Sequence, residues 1–446
     1  MTLKSSSKQL SSGSKVKKVD KITPDFIPMI RIVFWNSLGF FFFWYLIPLV
    51  VWVLFGGTGI ELGLSFAGQT LGGLISAPIV GYLTDKVSKK LLVLIGSFGR
   101  GAAYSIMYMG IVFSSLITFV IGLFTLGFFV GFFWSPLDAL VSQKSHKTFR
   151  SAAFGKQAGM LGLGNLVGSC IAFLIFALAL LFVPENPFIV YSPLILFTVS
   201  NVYAGIIFKK DVDESLTYES HISEINGKDM SFNESFQQSE TVKVSETKKT
   251  PRLSMAFLIG FIVLILAFMT SNINQTIAPP FYQVYIRDFI NSNNIIVMLI
   301  YFPSQVLSLL LAPRLGKMAD RINPMIGIAI FSALGSLVTW LFINSTNEIM
   351  VSIILFFDST FGWAGSVILQ NVLSRISKNH RGKLFGISRW MSFIGAIIGP
   401  IIGGFALEQI GFTSPFIISI FVELSVIPLY IISIKLLKPY MAEQLD

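Results

Sequence analysis

Residues 81–90 read GYLTDKVSKK, and residues 316–321 read GKMADR. Each puts an aspartate, Asp85 or Asp320, beside basic residues and between long apolar runs. The first is framed by LGGLISAPIV and LLVLIGSF. A helix needs about 20 apolar residues to cross a bilayer, so a charged turn between two such runs reads as a loop at a membrane surface. The fold then follows from the number of runs and from how charge is shared among their loops.

Twelve runs can be counted, over 30–55, 59–84, 90–112, 114–141, 155–182 and 187–208, then 253–279, 291–315, 323–343, 348–373, 383–407 and 413–436. They are continuous rather than alternating, which predicts helices and excludes a β-barrel. Of 446 residues 53% are hydrophobic and 13% charged, against about 25% charged in soluble domains. Twelve crossings put both termini on one side. All but two of the 33 lysines and arginines fall on that side, the exceptions being Arg287 and Arg100. This bias predicts a multi-pass cell-membrane protein with both termini cytoplasmic. It also accounts for the net charge of +10 without a nucleic-acid partner. The first 25 residues lack an apolar core, so no cleavable signal is expected.

The predicted organisation is a cytoplasmic tail over 1–29, a six-helix bundle over 30–208, a cytoplasmic linker over 209–252, a second six-helix bundle over 253–436 and a cytoplasmic tail over 437–446. The linker is polar and poor in aromatics, which predicts that it is largely disordered. The single cysteine, Cys170, excludes an intrachain disulfide. His146, His221 and His380 fall in polar loops, so no metal site, cofactor or catalytic triad is expected, nor an enzyme.

The two halves repeat. RSAAFGKQAGMLGLGNLVG (150–168) aligns with RGKLFGISRWMSFIGAIIG (381–399), matching Arg150 with Arg381, Gly164 with Gly395 and Gly168 with Gly399. The two aspartate turns align as Gly81 with Gly316 and Asp85 with Asp320. Duplicated six-helix units are a common transporter plan. A carboxylate in such a turn can cap a neighbouring helix or pair with a basic residue of the facing half. Gly81, Asp85, Lys86, Lys89, Gly316, Asp320 and Arg321 are therefore candidates for a conformational switch. Asp138, near the end of the fourth run, and Arg150 and Arg381 join them.

GYLTDKVSKK resembles the loop signature of the major facilitator superfamily, and GKMADR resembles its second copy. GAIIGPIIGG (395–404) is similar to the glycine/proline signature of the superfamily's antiporters, but sits in the eleventh run rather than the fifth. Ser88 stands where the loop signature has its second glycine. The fourth run lacks the arginine of the superfamily's drug antiporters, and the first lacks the acid of its sugar importers. The resemblance thus implies a fold and transport by alternating access: an all-α membrane protein of twelve helices in two pseudo-symmetric bundles, with helices 1, 4, 7 and 10 lining the cavity. It does not imply a subfamily.

Ionisable groups inside a bilayer cost about 2.5–3.5 kcal/mol or more and need a reason. Asp358, in the tenth run, is the first candidate for proton coupling. Arg389 in the eleventh run and Glu423 in the twelfth complete the set. At about 1.5 Å rise per residue, either acid lies near Arg389 in depth, so Arg389 is expected to pair with one of them. Because the twelfth helix is peripheral in the resembling fold, Glu423 is expected to be structural. Candidates for the substrate cavity are Gln69, Arg100, Asn165, Asn272, Gln275, Gln305 and Trp363, with Trp44 and Tyr45 able to stack on an organic solute. Pro279 and Pro280 should break the seventh helix. Gly164, Gly168, Gly395, Gly399 and Gly403 allow close helix packing, either within one half or where the halves rock.

The leading reading is a monomeric secondary transporter moving a small organic solute, coupled to protons, with efflux favoured. The alternatives are a nutrient importer and a non-transporting receptor on the same scaffold. No G-x₄-G-K-[ST] sequence is present to drive transport with ATP.

Overall fold

The computed structural model describes residues 21–146, 149–222, 255–319, 322–376 and 381–440. Twelve helical rods run through them: α1 Phe26–Leu54, α2 Gly59–Lys86, α3 Lys89–Val112, α4 Leu116–Gln143, α5 Arg150–Phe182, α6 Pro193–Asp211, α7 Met255–Phe289, α8 Asn294–Ala319, α9 Pro324–Ile343, α10 Glu348–Ile376, α11 Arg381–Gln409 and α12 Ser414–Leu437. Nine are long and apolar enough to cross a membrane among the described residues, and α6, α8 and α10 alternate with them.

Polar residues at the turns set where the rods begin. Thr58 and Glu61 form a reciprocal capping box at the start of α2. Ser88 and Ser115 cap α3 and α4, and Asn323 caps α9 just before Pro324. Each cap satisfies a backbone N–H that has no partner inside its helix.

Two rods are broken. α1 stops at Asn36, turns through Gly39 at φ 89°, and resumes at Phe40 before Pro48 leads into a π-helical turn over Leu49–Leu54. Any side chain on Gly39 would strike the Phe197 ring, besides meeting the left-handed backbone. α7 tightens into a 3-10 turn at Pro279–Phe281 and then continues as helix to Phe289, beyond the expected end of its span.

The packing repeats. In the first bundle α1 lies on α5 and α6, α2 on α4, and α3 on α4 and α6. In the second, α7 lies on α11 and α12, α8 on α10, and α9 on α10 and α12. The glycine contacts repeat as well. Gly164 meets Phe34 and Gly168 meets Leu38 in the first bundle, as Gly395 meets Met269 and Gly399 meets Ile273 in the second.

The bundles touch along α2 with α11 and α5 with α8. We call the end that carries the α2–α3 turn basal and the opposite end distal. Distal contacts across the seams are dense. A Cβ on Gly63 would collide with the carbonyl of Pro400, and one on Gly404 with that of Gly59. Tyr45 donates to the Asn294 carbonyl at 3.0 Å, Trp52 to Asp288 at 3.1 Å, and the Ile60 amide to Glu408 at 3.2 Å. Phe173 and Phe302 meet edge to face. Towards the basal end α2 and α5 show no such contacts among the described residues. A Cβ on Gly81, Gly155 or Gly159 would meet nothing within 4 Å, and Tyr82 is 61% exposed.

Part of the expected linker is folded. α6 continues to Asp211, and residues 212–222 lie against the first bundle. Residues 223–252 lie outside the described residues.

Candidate functional site

A cavity of about 480 Å³ opens between α1, α7, α8, α9, α10 and α12. Phe40, Phe41 and Trp44 from the first bundle form one wall. These residues follow the α1 break, which turns them towards the facing bundle. Ser271, Asn274, Gln275 and Tyr282 line it from α7, with Ala278 and Pro279 at the helix break.

Asp358 of α10 and Glu423 of α12 both open into this space. Tyr282 donates its hydroxyl to Asp358 Oδ2 at 3.1 Å. Ser419 donates to Asn274 Oδ1 at 2.8 Å, and Asn274 lines the cavity with Glu423. Glu423 reaches α9, where its carboxylate rests on Gly335. The two acids are close enough to feel one another's charge, and among the described residues no lysine, arginine or histidine shares the lining. Two carboxylates in an apolar cavity without a fixed cation call for a proton or a cationic guest to offset them.

The sequence matches the family model of the Major Facilitator Superfamily over residues 32–375 and 273–444. The chain belongs to the major facilitator superfamily. Its similarity to individual members is modest. It is 24% identical over 369 residues to the multidrug resistance protein MdtG of Escherichia coli O9:H4, covering 80% of each chain. It is 26% identical over 368 residues to MdtG of Escherichia fergusonii, again covering 80% of each. Among solved structures it superposes on the nucleoside transporter NupG with a TM-score of 0.63 at 12% identity, covering 93% of this chain and 98% of that one. A bacterial homologue of the human lysosomal transporter Spinster, in an inward-facing and occupied conformation, gives a TM-score of 0.64 at 11% identity, covering 92% and 94%. These structures share the twelve-helix, two-bundle fold, and the protein is a multi-pass membrane transporter of the superfamily.

Against that fold the expected site residues separate into groups. Asp358, Gln275 and Trp44 line the cavity. Glu423, expected to be structural though also named a proton-coupling candidate, lines it too. The cavity is eccentric and lies mainly within the second bundle, so α9 and α12 reach it while α4 does not.

Arg389 does not pair with either acid. Among the described residues, ion pairs join Lys144 to Asp25 and Arg287 to Asp288. Arg389 is exposed and lies within electrostatic reach of Asp138 on α4. Its depth matched that of the acids, but its helix face points elsewhere. Asp138 accepts a hydrogen bond from Gln157 at 2.9 Å.

Arg100 is not a cavity residue. Only 1% exposed, it is packed inside the first bundle with its guanidinium over the Phe133 ring. It donates to the Asn36 carbonyl at 2.7 Å and to Asn36 Oδ1 at 3.3 Å. Asn36 is the last residue before the α1 break, so Arg100 closes the carbonyl end of a half-helix, where the helix dipole favours a cation.

The remaining amides serve packing rather than the cavity. Gln69 presents its backbone to Gly127, Asn165 is buried, and Asn272 donates to the Phe268 carbonyl and to Ser392 of α11. Tyr45 belongs to the core. Gly164 and Gly168 seat α5 on α1, and Gly395, Gly399 and Gly403 seat α11 on α7, so their role is within each half. The glycines that do cross the seam, Gly59, Gly63 and Gly404, were not singled out by the sequence, although Gly59 and Gly63 share the same four-residue spacing.

In the switch set, Gly81, Asp85 and Lys86 are exposed, Lys89 is half-buried and Arg150 is exposed. Lys86 donates to the Tyr82 hydroxyl and lies over its ring. Asp85 makes no hydrogen bond or ion pair among the described residues. Asp320 and Arg321 lie outside the described residues, as do the side chains of Gln305, Trp363 and Arg381 and the surroundings of Gly316.

Proposed function

We propose that this protein is a proton-coupled exporter of amphiphilic organic cations. The observation that carries the reading is the joint exposure of Asp358 and Glu423 to one aromatic-walled cavity that has no basic side chain among the described residues. Aromatic faces and carboxylates together favour an organic cation over an anion or an uncharged sugar.

The basal end carries almost all basic residues and is the cytoplasmic end. With the distal seam closed and the basal end parted, the cavity faces the cytoplasm, ready to load. Protons bound at Asp358 and Glu423 leave when the cation takes their place, and return from the outside after the cation has gone. Asp85 and its second-half counterpart Asp320 act at the basal end, where contacts to the facing bundle hold the alternate state closed. The similarity to multidrug resistance proteins supports export. An importer of organic acids would need a cation in the lining.

The test is flux of tetraphenylphosphonium in proteoliposomes under an imposed pH gradient. Saturable, gradient-driven flux and counterflow are expected. In Asp358→Asn or Glu423→Gln the driven flux should fall by about tenfold or more. Flux unaffected by the gradient in the wild type, or unchanged in both variants, refutes the coupling. Absence of counterflow refutes transport of this class.

A further inference from the structure

The basal end of the first bundle carries a knot of chain that the transport cycle above does not use. Lys144, 1% exposed, closes the α4 end and donates to Asp25 Oδ2 at 2.7 Å, to the Asp213 carbonyl at 2.6 Å and to the Leu216 carbonyl at 2.7 Å. The Asp213 amide donates to the same Asp25 carboxylate at 3.1 Å. The chain entering α1 and the chain leaving α6 are thereby fastened to one buried ammonium. A lysine buried this deeply is tolerated only because its three donors are all taken.

This fastening delivers Glu214 to the first turn of α3. The Glu214 carboxylate accepts from the Ser88 hydroxyl, from the Lys89 amide at 2.7 Å and from the Lys90 amide at 3.2 Å. Lys90 in turn donates its ammonium to the Val212 carbonyl. Ser88 Oγ takes the Leu91 amide. The free N–H groups of the α3 N-terminus are therefore occupied by a residue 126 positions later in the chain. Partial burial pushes the Glu214 carboxyl up, but the Ser88 and backbone donors outweigh it and hold the group below the usual glutamate range.

The Lys89 and Lys90 amides lie four and five residues after Asp85 in the chain. Asp85 stands three residues before Ser88, at the end of α2, and is exposed. Ser88 caps only the Leu91 amide, and a carboxylate so close to the other free N–H groups of a helix start is drawn onto them. Glu214 fills that place first.

We propose that Glu214 is a positioning residue for the transport cycle: by occupying the α3 N-terminus it keeps the Asp85 carboxylate free to engage the facing bundle when the basal end closes. The proposal rests on Asp85 acting as a switch. The linker's first segment, residues 212–222, then moves as part of the first bundle.

The test is a double-variant cycle, with tetraphenylphosphonium flux measured in proteoliposomes for the wild type, Asp85→Asn, Glu214→Gln and the double variant. Asp85→Asn is expected to lose about tenfold. Glu214→Gln is expected to lose about threefold or more in an otherwise wild-type chain and nothing further beside Asp85→Asn. Glu214→Asp, which keeps the charge, should recover part of the flux. A merely structural Glu214 would lower flux by the same factor in both backgrounds, and that result overturns the proposal. So does wild-type flux in Glu214→Gln. An active Asp85→Asn variant refutes the switch reading itself and takes the proposal with it. If Glu214→Gln does not fold, Ser88→Ala, which removes one of the three donors, completes the same cycle.

Discussion

The carboxylate of Glu423 on α12 rests on the backbone of Gly335 on α9, so closely that a Cβ on Gly335 would sit 2.7 Å from Oε1 and 3.0 Å from Oε2. Helix 12 has access to the cavity because this position on α9 has no side chain. Gly335→Val should displace the carboxylate and lower gradient-driven flux by about tenfold, through loss of geometry at an acid–base group. Binding of a fluorescent organic cation to purified protein separates this from misfolding. Bound cation with full driven flux in Gly335→Val would show that Glu423 does not need this seat.

The cavity acids should separate binding from driving force. Asp358→Asn keeps the shape of the side chain and lets Tyr282 remain bonded to it, but removes the exchangeable proton. Its expected behaviour is near-normal exchange of internal for external solute with no response to a pH gradient. An intact response would assign coupling elsewhere.

Arg100 should matter to stability more than to transport specificity. Removing it leaves the carbonyl and Oδ1 of Asn36 buried without these donors, which costs about 1–3 kcal/mol. Arg100→Met should lower the thermal unfolding temperature in detergent, and Arg100→Lys should recover part of the loss. An unchanged or higher unfolding temperature in Arg100→Met would mean that burying the guanidinium costs as much as its hydrogen bonds return.

The distal seam should be sensitive to bulk. Gly63→Leu has no room against Pro400, so it should force α2 from α11 and bias the protein towards the distally open state. Cysteines placed at the distal rim should then label faster than in the wild type, by about fivefold or more. Slower or equal labelling would argue against a seam held shut by backbone contact.

The Glu214 clamp predicts a pH window. Its carboxyl lies lower in the folded chain than its ordinary value of 4.5. The stability it adds is therefore fully present above 4.5 and is lost as pH falls through the lower folded value. The difference in unfolding temperature between wild type and Glu214→Gln should be constant from pH 8 to pH 5 and shrink only in stronger acid. A difference that vanishes near pH 6 would exclude a clamp of this kind.

Much of the fold was legible because bilayer physics writes it locally. Continuous apolar runs, capping residues at their starts and lysines crowded on one side do not depend on distant neighbours. The duplicated GYLTDKVSKK and GKMADR turns carried the repeat, and the repeat returns as paired contacts of Gly164 with Phe34 and Gly395 with Met269. The site was legible only in part. Asp358 was found because an acid in an apolar run is conspicuous by itself. Glu423 was named as a candidate but expected to be structural because helix 12 is peripheral in the resembling fold; its place in the cavity lining depends on the face that the helix turns inward. Arg389 was mispaired because depth along a helix says nothing of the face that its side chain takes.

The chain by itself determined that this is a membrane protein of twelve helices in two related halves, because hydrophobic length, charge asymmetry and turn chemistry are properties of consecutive residues. Only the tertiary structure decided that Glu423 joins Asp358 in one cavity, that Arg100 closes the break in α1, and that Glu214 rather than Asp85 caps α3. Each of these joins residues from separate helices or loops, and their meeting depends on how the rods rotate and tilt against one another, which no stretch of neighbouring residues encodes.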